Sequence, residues 1–107
     1  MDKIDFSQIE LINNDQGSKK RFELPVEDKL AYIEYMVVRG NVMYLTHTEV
    51  PVGFEGKGVG SAIVSKTLDY IRANNYKMAP ICPFLASYLK RHPEHAEGIL
   101  ADGFRIG

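Results

Sequence analysis

Hydrophobic and polar positions fall into two regimes along the chain. Gln8 to Asn13 and Arg21 to Val26 read as strands, joined by the turn-rich Asn14-Asp15-Gln16-Gly17-Ser18. Ala31 to Val38 and Asn41 to Val50 are dense in β-branched and aromatic residues. The intervening Arg39-Gly40-Asn41 predicts a tight hairpin connection. Period-2 alternation in the last of these runs assigns Met43, Leu45, His47 and Glu49 to one face, and Val42, Tyr44, Thr46, Thr48 and Val50 to the other. Pro51-Val52-Gly53-Phe54 then ends the ladder, because a proline cannot donate to it. From Gly58 to Ala73 the period becomes helical: Val64, Leu68 and Ile71 share a face that Ala62 and Ile63 broaden, and Asn74-Asn75 is a left-handed stop. Lys77 to Cys82 predicts a short buried strand, parallel to Asn41–Val50. Pro83 opens a second helix with Leu85, Tyr88 and Leu89 inward, and His92-Pro93 ends it. The stretch after Glu94 carries no clear period. The expectation is an α+β (α/β) fold: an antiparallel meander, a βαβ unit and a second helix on a mixed sheet, forming one domain over residues 1–107.

Composition narrows the classes of function. A chain of 107 residues with 45% hydrophobic and 25% charged residues can bury a core without staples. A net charge of −1 excludes a global field that recruits nucleic acid or an anionic membrane. The single cysteine, Cys82, excludes an intramolecular disulfide framework and a multi-Cys zinc site. No apolar run approaches the roughly 20 residues of a membrane span, and Met1 to Asp5 lacks a secretory pattern. A cytoplasmic monomer or weak dimer is expected, without nucleic-acid or membrane partners.

The densest chemistry lies in Val50-Pro51-Val52-Gly53-Phe54-Glu55-Gly56-Lys57-Gly58-Val59-Gly60-Ser61. Glycines at alternate positions, where a strand hands over to a helix, let a ligand approach backbone N–H groups at the positive end of the helix dipole. A pyrophosphate suits such a cradle; a loop that merely turns the chain is the plainer account. Gly53, Gly56 and Lys57 have the wrong spacing for a P-loop, and Gly56-Lys57-Gly58-Val59-Gly60 lacks the dinucleotide fingerprint and its later carboxylate.

Glu55-Gly56-Lys57-Gly58-Val59-Gly60 resembles the acyl-CoA segment of the GNAT acetyltransferases, Gln/Arg-x-x-Gly-x-Gly/Ala, with Glu55 as the departure. Leu45 to Pro51 and Pro80 to Glu94 extend the resemblance to a compact branch with a cysteine after the glycine-loop helix, so that it covers roughly Glu23 to Glu97. The resemblance implies acetyl-CoA as co-substrate, an amine or protein acceptor, and no metal. It places Glu55, Gly56, Lys57, Gly58, Val59, Gly60 and Ser61 at the pyrophosphate, backbone N–H groups of Val50 and Val52 at the pantetheine and thioester carbonyl, and Lys90 with Arg91 near the 3′-phosphate.

Three side chains carry the candidate catalysis. Cys82 and His47 are expected together beside the glycine loop, at the C-terminal ends of neighbouring parallel strands. A cysteine attacks as thiolate and an imidazole can take its proton, whereas a lone buried cysteine is usually inert. Glu49 is a second candidate base, and a solvated carboxylate is its duller account. Direct attack by an amine and transfer through Cys82 both stay open, as does a CoA-binding module without turnover. Tyr88 could return a proton to the CoA thiolate, although packing explains it as well. His92-Pro93-Glu94-His95 sets two imidazoles astride a proline with no third ligand nearby, a poor zinc site.

Overall fold

A computed structural model describes residues 4–17 and 19–106; Met1 to Lys3, on which part of the leader expectation rests, and Ser18 of the first loop lie outside it. Its elements run β1 (Ile12–Asn14), β2 (Lys20–Val26), β3 (Lys29–Val38), β4 (Val42–Glu49), α1 (Val59–Ala73), β5 (Lys77–Pro80) and α2 (Pro83–Arg91), with 3-10 turns at Phe6–Gln8 and Pro93–Ala96. The five strands form one mixed sheet in sequence order, antiparallel from β1 to β4 and parallel between β4 and β5. This is the expected α+β architecture of a meander followed by a βαβ unit.

Local chemistry explains where the boundaries fall. The first strand begins at Ile12 rather than Gln8, because the Asp5 carboxylate accepts hydrogen bonds from the Ser7 N–H and hydroxyl and turns Phe6–Gln8 into a 3-10 turn. Asn13 then anchors β1, its amide reaching the Tyr70 hydroxyl at 3.1 Å and its carbonyl accepting from Tyr35. Val38 pairs with Val42, so Arg39-Gly40-Asn41 is a three-residue connection, and Gly40 and Asn41 both take the positive φ that reverses the chain there. β5 stops at Pro80, two residues early, because Cys82 already has the extended backbone of an N-cap for α2, while its N–H still bonds the Leu45 carbonyl at 2.9 Å.

One core joins Phe22, Leu24, Ile33, Tyr35, Met43 and Leu45 of the sheet to Ile63, Val64, Leu68 and Ile71 of α1 and to Leu85, Tyr88 and Leu89 of α2. The alternating burial of β2 and β3 leaves the other sheet face bare of helix. The unperiodic tail is not loose: Leu100 bridges Met78, with the Met78 N–H bonded to the Ile99 carbonyl and the Ala101 N–H to the Met78 carbonyl. It thereby covers the outer edge of β5, a position that would otherwise present unpaired backbone.

The expected facing of β4 does not survive the fold. Tyr35 pairs with Leu45 and Glu34 with His47, so Thr46 is an extra residue bulged out of the ladder. An inserted residue moves every later side chain to the opposite face. Met43 and Leu45 therefore point into the core, whereas His47 and Glu49 are exposed on the helix-free face, and Thr48 takes the inward place opposite the buried Ile33.

Candidate functional site

Pairing between β4 and β5 ends at Leu45 and Pro80, yet β4 runs on to Glu49. The two strands part there, and the open edge of β4 borders a cleft of about 410 Å³. Thr48, Val50, Phe54, Glu55, Gly56, Gly58, Val59, Gly60, Ser61, Phe84 and Arg91 line it. Past Leu45, the backbone groups of β4 that do not bond β3 face this opening.

Gly58 builds the floor of the cleft. Its φ of 84° is a left-handed conformation that a side chain disfavours, and it lets the loop turn sharply into α1 as N-cap. No side chain caps this helix, and the first intrahelical bond runs from the Ala62 N–H to the Gly58 carbonyl at 2.9 Å. The N–H groups of Val59, Gly60 and Ser61 are left for a ligand, at the positive end of a helix of 15 residues. Gly60 has a packing role as well. A Cβ there would collide with the Phe84 ring, so this glycine lets the N-termini of α1 and α2 pack together. Glu55, at the position where the resembling pattern has a donor, turns back to accept from the Gly53 N–H at 3.0 Å and braces the loop.

Of the residues expected to hold the co-substrate, Val50, Glu55, Gly56, Gly58, Val59, Gly60 and Ser61 line the cleft. Val52, Lys57 and Lys90 do not; Val52 is 82% exposed and Lys90 points to solvent. Arg91 supplies the cation instead. Phe84 and Arg91 are seven residues apart on α2 and so share a face, a spacing that singles out Arg91 over Lys90. Thr48, Phe54 and Phe84 carried no sequence signal of their own.

The catalytic candidates are divided between two faces. Cys82 is buried at the N-terminus of α2, with its Sγ 3.2 Å from the Thr48 Oγ1. His47 is not beside it: its Nε2 lies 3.0 Å from the Glu49 Oε1 on the far face, and its ring leans toward Tyr32 at 6.2 Å. The expected Cys82–His47 pair is therefore replaced by two separate ones, Cys82–Thr48 and His47–Glu49. A threonine hydroxyl can donate a hydrogen bond to a thiolate but is no base. Around His47, Tyr32 carries the Arg21 guanidinium over its ring at 4.2 Å, and Arg21 pairs with the buried Glu23 at 2.9 Å. Tyr88 is buried, its hydroxyl 2.8 Å from the His95 Nδ1, and burial raises its pKa above the ordinary tyrosine value. It packs and does not line the cleft.

Comparison with known proteins adds an independent line. Residues 21–98 match the model of a family described as GCN5-related N-acetyl-transferase. The chain is also similar to Protein NATD1 of Gallus gallus and of Mus musculus, 29% identical over 63 residues, covering 59% of this chain and 57% of each relative. Protein NATD1 of Homo sapiens is equally similar, at 29% over 63 residues, 59% of this chain and 56% of the relative. The alignment thus spans little more than half the length of these relatives.

Proposed function

The chain belongs to the GCN5-related N-acetyltransferase family, and from that premise we propose that it transfers an acetyl group from acetyl-CoA to an amine. The parting of β4 from β5 beside an uncapped α1 carries this reading, because it sets a helix N-terminus and an unpaired strand edge along one cleft. Val59, Gly60 and Ser61 N–H groups would hold the pyrophosphate, and Arg91 would add charge to the phosphate end. Thr48 and Val50 N–H groups would donate to the pantetheine and to the carbonyl on which negative charge develops. Bound acetyl-CoA supplies the activated thioester; the chain's own groups orient it and manage protons.

For the acceptor side we infer direct attack. The gap between β4 and β5 leaves room for an amine from the helix-free face, where the Glu49 carboxylate can orient the His47 imidazole and leave its other nitrogen free to take a proton. Transfer through Cys82 is the second reading. It rests on the thiol's place at the N-terminus of α2 and on the Thr48 hydroxyl 3.2 Å from it. A cytoplasmic enzyme whose transfer step uses no metal completes the reading.

The test is turnover with acetyl-CoA across a panel of amines and basic peptides, run on Cys82→Ala and on Glu49→Gln with His47→Gln. Direct attack predicts that Cys82→Ala keeps kcat within a few-fold, while the double variant loses roughly 100-fold, the usual scale of general-base catalysis. An acetyl adduct on Cys82, removed by hydroxylamine and required for turnover, would replace this mechanism with the covalent one. No CoA binding by calorimetry would end the proposal itself.

A further inference from the structure

We propose that His92, Glu94 and His95 form a surface site for a divalent transition-metal ion of the zinc class, tying the end of α2 to the segment that follows it. In sequence these residues offer two imidazoles astride a proline. Folded, their ligand atoms all lie within 4.8 Å of one another, with Glu94 as the third ligand. The Glu94 Oε2 is 3.6 Å from the His95 Nε2 and 4.0 Å from the His92 Nδ1. An ion about 2.0–2.2 Å from each ligand needs only slightly shorter separations, within reach of side-chain rotation. The three side chains are 37–64% exposed, so they can rotate and an ion can enter from solvent.

The proline that spoils the helical spacing creates the site. His92 caps α2 with φ and ψ of −135° and 63°, outside the helical region, and Pro93 opens the 3-10 turn that carries His95 back beside it. The two imidazoles stack with centroids 5.2 Å apart and planes 19° from parallel. A second observation concerns orientation. The hydroxyl of buried Tyr88 sits 2.8 Å from the His95 Nδ1, which fixes the ring and leaves Nε2 outward. A ligating histidine characteristically has its other nitrogen hydrogen-bonded in this way. Asp69 and Glu97 line the adjoining hollow, where Asp69 lies 4.0 Å from the Arg72 guanidinium, which also donates to the His95 and Glu97 carbonyls at 3.2 and 3.0 Å. Two imidazole nitrogens and one carboxylate oxygen suit zinc, nickel or copper rather than magnesium or calcium, with the remaining position open to water.

The test titrates metal-stripped protein with zinc chloride in a calorimeter and with cobalt(II) in a spectrophotometer. The expected result is one ion per chain, with cobalt bands of low coordination number and a rise in Tm on zinc addition. His92→Ala and Glu94→Gln change exposed side chains and should each weaken binding at least tenfold with an unaltered circular dichroism spectrum. Absence of binding at about 1 mM zinc would overturn the proposal. Binding that both variants retain would overturn it too, and its loss in His47→Gln would move the ion to the His47–Glu49 pair.

Discussion

At the scale of single residues, Thr67 and Tyr88 illustrate opposite ways of burying a hydroxyl. Thr67 is wholly buried in α1, and its Oγ1 has no hydrogen-bond partner among the described residues. An orphaned polar atom costs about 1–3 kcal/mol, so Thr67→Val, which keeps the shape and removes the hydroxyl, should stabilise the protein by about 1 kcal/mol in urea unfolding. Tyr88 has found a partner in His95, yet burial still raises its pKa, as it does for Tyr35 stacked on Phe22. A raised pKa means the folded state resists losing the proton. The resulting stability is intact below the unfolded tyrosine value near 10 and falls as pH climbs from there through the folded values. Unfolding followed between pH 9 and 12 should show that decline, and Tyr88→Phe should make it shallower.

At the scale of elements, the packing of α1 on α2 decides how the cleft is shaped. Gly60 and Phe84 meet so closely that Gly60→Ala must push the whole ring aside, into the cleft that Phe84 lines. Phe84 is partly exposed and can swing, which keeps the expected loss of stability to about 1–2 kcal/mol. CoA affinity should fall along with it. Calorimetry on the folded variant would show this, and restored affinity in Gly60→Ala with Phe84→Leu would identify the ring as the obstacle. The cradle itself depends on Gly58, where any side chain strains the backbone. Lys57→Ala, outside the cleft, should leave CoA affinity nearly unchanged.

At the scale of the whole molecule, the last segment closes the sheet. Ile99 is buried, its carbonyl accepts from the Met78 N–H and the Ala101 N–H donates to the Met78 carbonyl, so β5 is flanked by β4 on one edge and by this segment on the other. Arg72 and Lys77 add clasps to the backbone carbonyls of Glu97 and Gly98 at 3.0 and 2.6 Å. Ile99→Ala should cost about 2–4 kcal/mol, from lost burial and the cavity it leaves. Because β5 anchors Cys82 through the start of α2, thiol labelling of Cys82 should quicken in the same variant.

The order of elements, the helix faces, the hairpin at Gly40-Asn41 and the glycine turn into α1 were all legible in the residues, because periodicity, proline and glycine act over a few positions. The one-residue bulge at Thr46 was not. Nothing in Leu45-Thr46-His47-Thr48 marks an insertion; β4 pairs with β3 on both sides of it, and its pairing with β5 ends just before it. That single residue moved His47 and Glu49 away from Cys82 and put Thr48 there in their place. It was likewise the course of the chain after Pro93 that gathered two imidazoles and a carboxylate, and helix phase that chose Arg91 over Lys90. Sequence spacing determined which chemistry the chain carries. Which groups share a face, and so can act together, was decided by long-range strand pairing, whose register no local pattern contains.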